Sequence, residues 1–118
     1  MSITLIEAHG GRLVNLLGDP SDSSALKDES NEYPSWTLTD RQICDLELLL
    51  NGAFSPLDGF MTQEDYESVL ESMRLADGTL WPIPINLDVS DKFIEKIKGR
   101  GKVTLLDKEG FALALLTV

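Results

Sequence analysis

The sequence is short of cysteine, histidine and long apolar runs. Cys44 is its only cysteine and has no second thiol for an internal disulfide, which indicates a reducing compartment, the cytoplasm. His9 is the only histidine, so a metal site built on a histidine pair is excluded. The longest apolar run, Phe111–Leu116, is far shorter than the ~20 residues of a membrane-spanning helix. We therefore expect no metal site and no membrane partner.

Basic residues are also scarce, since 10 Lys and Arg stand against 20 Asp and Glu and leave a formal net charge of −10. This charge repels phosphate backbones and predicts no nucleic-acid partner unless a local basic patch overrides it. The one basic cluster, Lys92–Lys102, lacks the spacing of a phosphate-binding loop. It is best interpreted as a solvated turn.

The length of 118 residues predicts a single domain over positions 1–118. Residues 18–36 are acidic and serine-rich without apolar periodicity, which predicts an acidic surface loop. Just before this loop, the short apolar run Arg12–Leu17 predicts a buried strand.

Two helices are predicted after the loop from their capping signals. Thr39 and Gln42 fit a capping box, and Gly52 fits the left-handed C-cap that ends the first helix. Thr62 begins the second helix with the same pattern. Its predicted apolar stripe consists of Tyr66, Val69, Leu70 and Met73.

The segment between the two helices is unusually apolar for a connection. Its large apolar side chains are Phe54, Leu57, Phe60 and Met61. If these side chains are exposed, they form an apolar patch and predict an interface with another domain. The alternative is that they close the core of their own domain, and the sequence leaves both interpretations open.

The second half of the chain is predicted to form strands and one short helix. Strict alternation of apolar residues from Trp81 to Val89 predicts a half-buried strand, and its two prolines place it at an edge or bulge. Ser90 is predicted to cap a helix over 91–98. Residues 102–106 and 111–118 flank the turn Asp107–Gly110 and predict a β-hairpin.

No catalytic or cofactor-binding residue emerges from these patterns. His9-Gly10-Gly11 is best interpreted as a glycine turn, and Cys44 as a small apolar residue of a helix rather than a nucleophile. Pairs of carboxylates are numerous but are expected by chance in a chain with twenty acidic residues.

Three stretches together resemble the N-terminal domain of the ATP sulfurylase (sulfate adenylyltransferase) family. They are His9–Val14, Leu38–Met61 and Leu80–Val89, in this order and spacing. The core of the second stretch, Asn-Gly-Ala-Phe-Ser-Pro-Leu-x-Gly-Phe-Met at 51–61, is long and distinctive.

The resemblance implies an α+β fold, a PUA-like small β-barrel with attached helices, cut short at its C-terminal end. The family joins ATP and sulfate, with Mg²⁺, into adenosine 5′-phosphosulfate and pyrophosphate. Its catalytic motifs, Gln-x-Arg-Asn-Pro and His-x-Gly-His, belong to a following domain and cannot be mapped onto this chain. The resemblance thus implies a non-catalytic accessory region without a cofactor of its own, with Mg-ATP bound by the parent enzyme.

The implied partners are the catalytic domain in the same polypeptide, an adenylylsulfate kinase domain in some members, and further copies in a homo-oligomer. The alternative function is a free-standing PUA-like module that binds RNA or protein. The net charge of −10 counts against RNA, and only the Lys92–Lys102 cluster offers a local exception.

Overall fold

The computed structural model of the chain describes residues 4–118, which divide into two compact units. Unit 1 contains the residues up to Leu17 together with Asp45–Leu87. Unit 2 contains Gly18–Cys44 together with Asp88–Val118. Each unit is therefore built from two separate stretches of chain, an arrangement that the sequence patterns did not indicate. The single domain over 1–118 stays a prediction.

Within residues 4–118 the structure has four α-helices and three strands, which confirms the α+β class. Short 3₁₀ turns lie at His9–Gly11 and Pro20–Asp22. The helices and strands in chain order are α1 (Ser23–Ser30), β1 (Ser35–Thr37), α2 (Asp40–Leu50), α3 (Gln63–Ser72), α4 (Asp91–Ile97), β2 (Lys102–Leu106) and β3 (Ala112–Thr117).

The capping box of α2 is confirmed in both directions. The Thr39 N–H donates to Gln42 Oε1 at 2.9 Å, and the Gln42 N–H donates to Thr39 Oγ1 at 3.2 Å. These reciprocal bonds satisfy two of the donors that a helix leaves free at its N-terminus. Gly52 follows the helix with a φ of +86°, the left-handed conformation predicted for it.

Helix α3 begins as predicted, because Thr62 Oγ1 accepts a hydrogen bond from the Asp65 N–H at 3.3 Å. Its apolar stripe is only partly right. Val69 is buried, whereas the side chains of Leu70 and Met73 are more than half exposed. Met73 ends the helix with a left-handed φ of 55°, so its side chain leaves the predicted face.

Unit 2 contains one three-stranded sheet in the order β1-β2-β3, with β1 parallel and β3 antiparallel to β2. The predicted hairpin is confirmed. Asp107 Oδ1 accepts from the N–H groups of Glu109 and Phe111, each at 2.9 Å, and fixes the turn. Ser90 caps α4 as predicted by accepting from the Phe93 N–H at 3.2 Å.

The prediction of a surface loop over 18–36 is wrong. The segment contains the 3₁₀ turn Pro20–Asp22, all of α1 and the first residues of β1. The sequence did carry a helix signal, because Asp19 accepts from the Ser21 N–H and Pro20 takes a first helical position. Apolar periodicity missed α1 because Ser30 is its only buried residue.

The two strands predicted outside the hairpin are also wrong, since neither Arg12–Leu17 nor Trp81–Val89 is a strand. In the first run only Val14 is buried. In the second, Trp81 and Ile85 are buried but the intervening Ile83 is exposed. Prolines at 82 and 84 remove two ladder donors, so this stretch makes single hydrogen bonds instead of a continuous ladder.

Each unit has its own buried apolar residues. In unit 2 the most deeply buried ones are Leu38, Val103 and Leu105, together with Phe93 on α4. In unit 1 the core cluster consists of Leu49, Leu57, Val69, Leu75, Trp81 and Ile85.

Candidate functional site

The segment between α2 and α3 carries the four residues predicted as an interface, and its backbone is held at several points. The Phe54 N–H donates to the Leu48 carbonyl at 3.1 Å, and the Met61 N–H donates to the Ile85 carbonyl at 2.8 Å. The peptide bond between Ser55 and Pro56 is cis. An apolar connection is thus fixed against unit 1 rather than extended into solvent.

The four side chains lie in or against the core of unit 1. Leu57 is only 6% exposed and belongs to the core cluster, and Phe54, Phe60 and Met61 are half-buried and pack against it. The Phe54 ring meets the Trp81 ring edge-on, with 5.7 Å between their centroids. This placement corresponds to the second interpretation left open by the sequence, closure of the domain's own core. Their role as an interface stays a prediction.

Residues near the N-terminus are tied to the same segment. The Val14 N–H donates to the buried hydroxyl of Ser55 at 2.9 Å, and that hydroxyl donates to the Gly52 carbonyl at 2.6 Å. The Arg12 guanidinium donates to the Pro56 carbonyl at 3.2 Å. Sequence reasoning missed these contacts because a serine hydroxyl and a single arginine carry no periodic signal.

His9 lies in unit 1 beside the same core. Its Nε2 atom is 2.6 Å from the Leu80 carbonyl oxygen, and its ring centroid is 6.0 Å from that of Trp81. The glycine turn predicted around it is present as the 3₁₀ turn His9–Gly11. This contact connects the turn at His9 to the backbone at Leu80.

Cys44, expected to act as a small apolar residue of its helix, is exposed. Across residues 4–118, no group of three or more His, Cys, Asp or Glu side chains is arranged to hold a metal ion. The same residues include no helix long and apolar enough to cross a membrane.

The basic cluster Lys92–Lys102 lies in unit 2, where three of its side chains have partners. Lys98 pairs with Glu95 at 2.6 Å, and the Arg100 guanidinium donates to the Glu32 carbonyl at 3.1 Å. Lys102 pairs with Glu29. These contacts reduce the positive charge that the cluster presents to an anion.

The Glu29 carboxylate raises the pKa of Lys102 above its ordinary value, first through the hydrogen bond and then through charge attraction. The Lys102 ammonium also lies 5.6 Å from the centre of the Tyr33 ring. The pKa values of two exposed carboxyl groups are instead lowered. The backbone N–H groups of Ser21 and Thr79 lower the pKa values of Asp19 and Asp77, respectively.

A groove with a cavity volume of about 400 Å³ lies in unit 2 between α1 and the strand β3. Leu26 and Lys27 line it on the helix side, and Leu113 and Leu115 on the strand side. Phe111, which also lines it, is 63% exposed. The sequence did not indicate this groove because one of its walls was predicted as a loop.

Comparison with known proteins gives one family and a consistent set of relatives. The family model of a PUA-like domain matches residues 6–118. A sulfate adenylyltransferase of Kluyveromyces lactis is 50% identical over 113 residues, which cover 93% of this chain and 22% of the relative. The sulfate adenylyltransferase of Saccharomyces cerevisiae is 47% identical over 113 residues, with the same two coverages.

A solved structure described as a hexameric APS kinase from Thiobacillus denitrificans superposes with a TM-score of 0.83 and 44% identity. The match covers 97% of this chain and 23% of that one. The chain therefore spans about a fifth of the length of the curated relatives that it matches.

Proposed function

The chain belongs to the family of PUA-like domains, and from that premise we propose that it serves as the accessory region of a sulfate adenylyltransferase. The parent enzyme would convert ATP and sulfate to adenosine 5′-phosphosulfate and pyrophosphate. The observation that carries this proposal is the 50% identity to the Kluyveromyces lactis enzyme over 93% of this chain.

The proposed role is non-catalytic. Within residues 4–118 no group of three or more acidic, cysteine and histidine side chains is arranged to hold a metal ion. His9 is engaged with the Leu80 carbonyl, and neither catalytic motif of the family occurs in the sequence. We therefore assign the handling of Mg-ATP and sulfate to the part of the parent enzyme that this chain does not contain.

The proposed partner is the catalytic domain of the same polypeptide. We propose the segment Phe54–Met61 as the contact, because Phe54, Phe60 and Met61 pack against the core of unit 1 yet are only half-buried. Apolar side chains that packing already orders lose less conformational entropy on docking. The likeness to a hexameric APS kinase supports a homo-oligomeric parent and an association with an adenylylsulfate kinase domain. The cytoplasm is the proposed compartment, on the ground of the single cysteine.

We do not extend the proposal to RNA. Lys98, Arg100 and Lys102 each contact an acidic residue or a carbonyl within unit 2. An RNA site needs basic side chains free to replace the counterions of the phosphate backbone.

A graft into a relative tests the proposal. The part of this chain that matches the Saccharomyces cerevisiae enzyme would replace the corresponding region of that enzyme, and the matched control would lack that region altogether. We expect the graft to form adenosine 5′-phosphosulfate at a rate within about tenfold of the unmodified enzyme, a cost of about 1.4 kcal/mol at most. The deletion control and the isolated 118-residue chain should show no activity. A folded but inactive graft, or a fully active deletion, would refute the accessory role.

A further inference from the structure

Asn51 and Gly52 form the only asparagine–glycine pair in the sequence. In such a pair the glycine nitrogen can attack the side-chain amide of the asparagine, because the glycine has no side chain to shield its nitrogen. The other asparagines, Asn15, Asn31 and Asn86, precede leucine or glutamate, whose side chains hinder the same attack. Spontaneous deamidation is therefore chemically favoured at Asn51.

The structure exposes Asn51 to water but fixes both its backbone and its side chain. Asn51 directly follows α2 and is exposed, whereas Gly52 is buried. The Asn51 N–H donates to the Glu47 carbonyl at 3.0 Å, which continues the hydrogen-bond pattern of the helix. The side-chain Oδ1 atom of Asn51 accepts from the Ala53 N–H at 2.9 Å. Both bonds restrict the movement of the amide that would react.

Gly52, which carries the attacking nitrogen, is held by a second set of contacts. Its carbonyl accepts from the N–H and from the hydroxyl of Ser55, at 3.1 and 2.6 Å. The Val14 carbonyl oxygen lies so close that a Cβ atom added to Gly52 would be 2.4 Å from it. Val14, Gly52 and Ser55 thus form a contact network, the Ser55 network. Cyclisation places the glycine nitrogen in a planar five-membered ring, and the network opposes the change in backbone angles that this requires.

We propose that Asn51–Gly52 is a self-modification site that reacts only when the Ser55 network opens. The Gly52 nitrogen loses its proton to hydroxide and forms a bond to the side-chain carbonyl carbon of Asn51, and the side-chain nitrogen leaves as ammonia. Water then hydrolyses the resulting succinimide at either of its two carbonyl groups. One product is aspartate. The other is iso-aspartate, in which the main chain passes through the side chain and is one methylene group longer.

The iso-aspartate product prevents the Ser55 network from forming again. A main chain that is longer by one methylene group displaces Gly52 from the end of α2, and the Val14 carbonyl leaves no space there for displaced atoms. Folded proteins open locally without unfolding as a whole, and such openings close again. At this site an opening that lasts long enough for the reaction becomes permanent.

Incubation of the folded 118-residue chain at mildly alkaline pH, followed by peptide mapping with mass spectrometry, tests the proposal. Ser55→Ala removes both hydrogen bonds of the hydroxyl and should speed the conversion of Asn51 about tenfold, which equals about 1.4 kcal/mol in the free energy of opening. Thr104→Val is the matched control, because it removes a buried, hydrogen-bonded hydroxyl from unit 2. It should leave the rate nearly unchanged.

The same incubation in urea measures the reaction without the network. In urea the unmodified chain and Ser55→Ala should convert at one common rate, which exceeds the rate of the folded unmodified chain. Asn51→Gln should strongly slow the conversion at this position, because its amide must close a six-membered ring instead of a five-membered one.

A folded chain in which Asn51 converts as fast as in urea would overturn the proposal, and so would a chain that does not convert in urea. Equal acceleration by Ser55→Ala and Thr104→Val would also overturn it, because the conversion would then follow unfolding of the whole chain. Circular dichroism must show that each variant is folded. If Ser55→Ala does not fold, Arg12→Ala loosens the same connection by removing the bond to the Pro56 carbonyl, and the comparison with Thr104→Val then decides. The accessory role is independent of these outcomes, since the test measures no enzymatic activity.

Discussion

Val14 and Ser55 are joined by a hydrogen bond of 2.9 Å, in which a buried backbone N–H donates to a buried hydroxyl. The two residues are 41 positions apart in the chain. The same hydroxyl donates to the Gly52 carbonyl at 2.6 Å. One small side chain thus fixes the N-terminal stretch and the end of α2 to the segment that carries the proposed interface.

Replacing Ser55 with alanine should destabilise the chain. The change leaves the buried Val14 N–H without its partner, and an unsatisfied buried donor costs about 1–3 kcal/mol. Urea denaturation should show a lower midpoint with an unchanged slope. Ser72→Ala is the control, because Ser72 is exposed at the end of α3 and should cost much less. If both variants lose the same free energy of unfolding, the hydrogen bonds of the Ser55 hydroxyl do not contribute more to stability than an exposed serine does.

Gly52 is a second constraint at the same place. Its φ is +86°, and a Cβ atom added there would lie 2.4 Å from the Val14 carbonyl oxygen. Gly78 has a similar φ of +93° but no atom within 4 Å of an added Cβ. Gly78→Ala should therefore cost about 1–2 kcal/mol from the backbone conformation alone. Gly52→Ala should cost clearly more, because it adds a backbone clash.

Urea denaturation of both glycine variants under identical conditions measures the difference. If the two free energies of unfolding are equal, the close approach of Val14 to Gly52 does not contribute. If Gly52→Ala fails to fold while Gly78→Ala folds, the order of the two costs is confirmed.

The elements that could be predicted from the sequence are those with a local stereochemical signal. Helix α2 begins with reciprocal side-chain to backbone bonds at Thr39, and the hairpin turn is fixed by Asp107 within five consecutive residues. Such signals depend only on near neighbours in the chain. They are independent of the rest of the fold.

The elements that the sequence did not predict correctly depend on contacts between distant parts of the chain or carry no apolar periodicity. Helix α1 buries one residue, so apolar periodicity could not reveal it. The alternation from Trp81 to Val89 suggested a strand, but the core takes Trp81 and Ile85 at a spacing of four. The positions of Phe54 and Phe60 depend on contacts with distant parts of unit 1, which is why the sequence could not decide between interface and core.

The pair between Lys102 and Glu29 predicts a dependence of stability on pH. Glu29 raises the pKa of Lys102 in the folded chain above its ordinary value of 10.5, so folding favours the charged ammonium. The resulting stabilisation is complete below the pKa of the unfolded chain and is lost as the pH rises through the folded pKa. Lys102→Met should remove this loss at alkaline pH.

The measurement is urea denaturation of both proteins from neutral pH to above 10.5, the ordinary pKa of lysine. Lys92→Met, on the exposed first turn of α4, controls for the loss of one positive charge. The difference between the unmodified chain and Lys102→Met should shrink with rising pH, while the difference for Lys92→Met stays nearly constant. A difference for Lys102→Met that does not depend on pH would contradict the assignment.

The proposed contact with the catalytic domain can be tested without disturbing the core of unit 1. Asp58 is exposed and lies between Leu57 and the half-buried Phe60. In the grafted enzyme, Asp58→Lys should lower the rate of adenosine 5′-phosphosulfate formation about tenfold, because a reversed charge must be desolvated at the contact. The free energy of unfolding of the isolated chain should change by no more than about 0.5 kcal/mol, as is usual for surface substitutions.

Glu71→Lys, an equal charge change at an exposed site on α3, should leave the activity unchanged. If both variants keep full activity, the contact lies elsewhere, and Phe54, Leu57, Phe60 and Met61 serve only the core in which the structure places them.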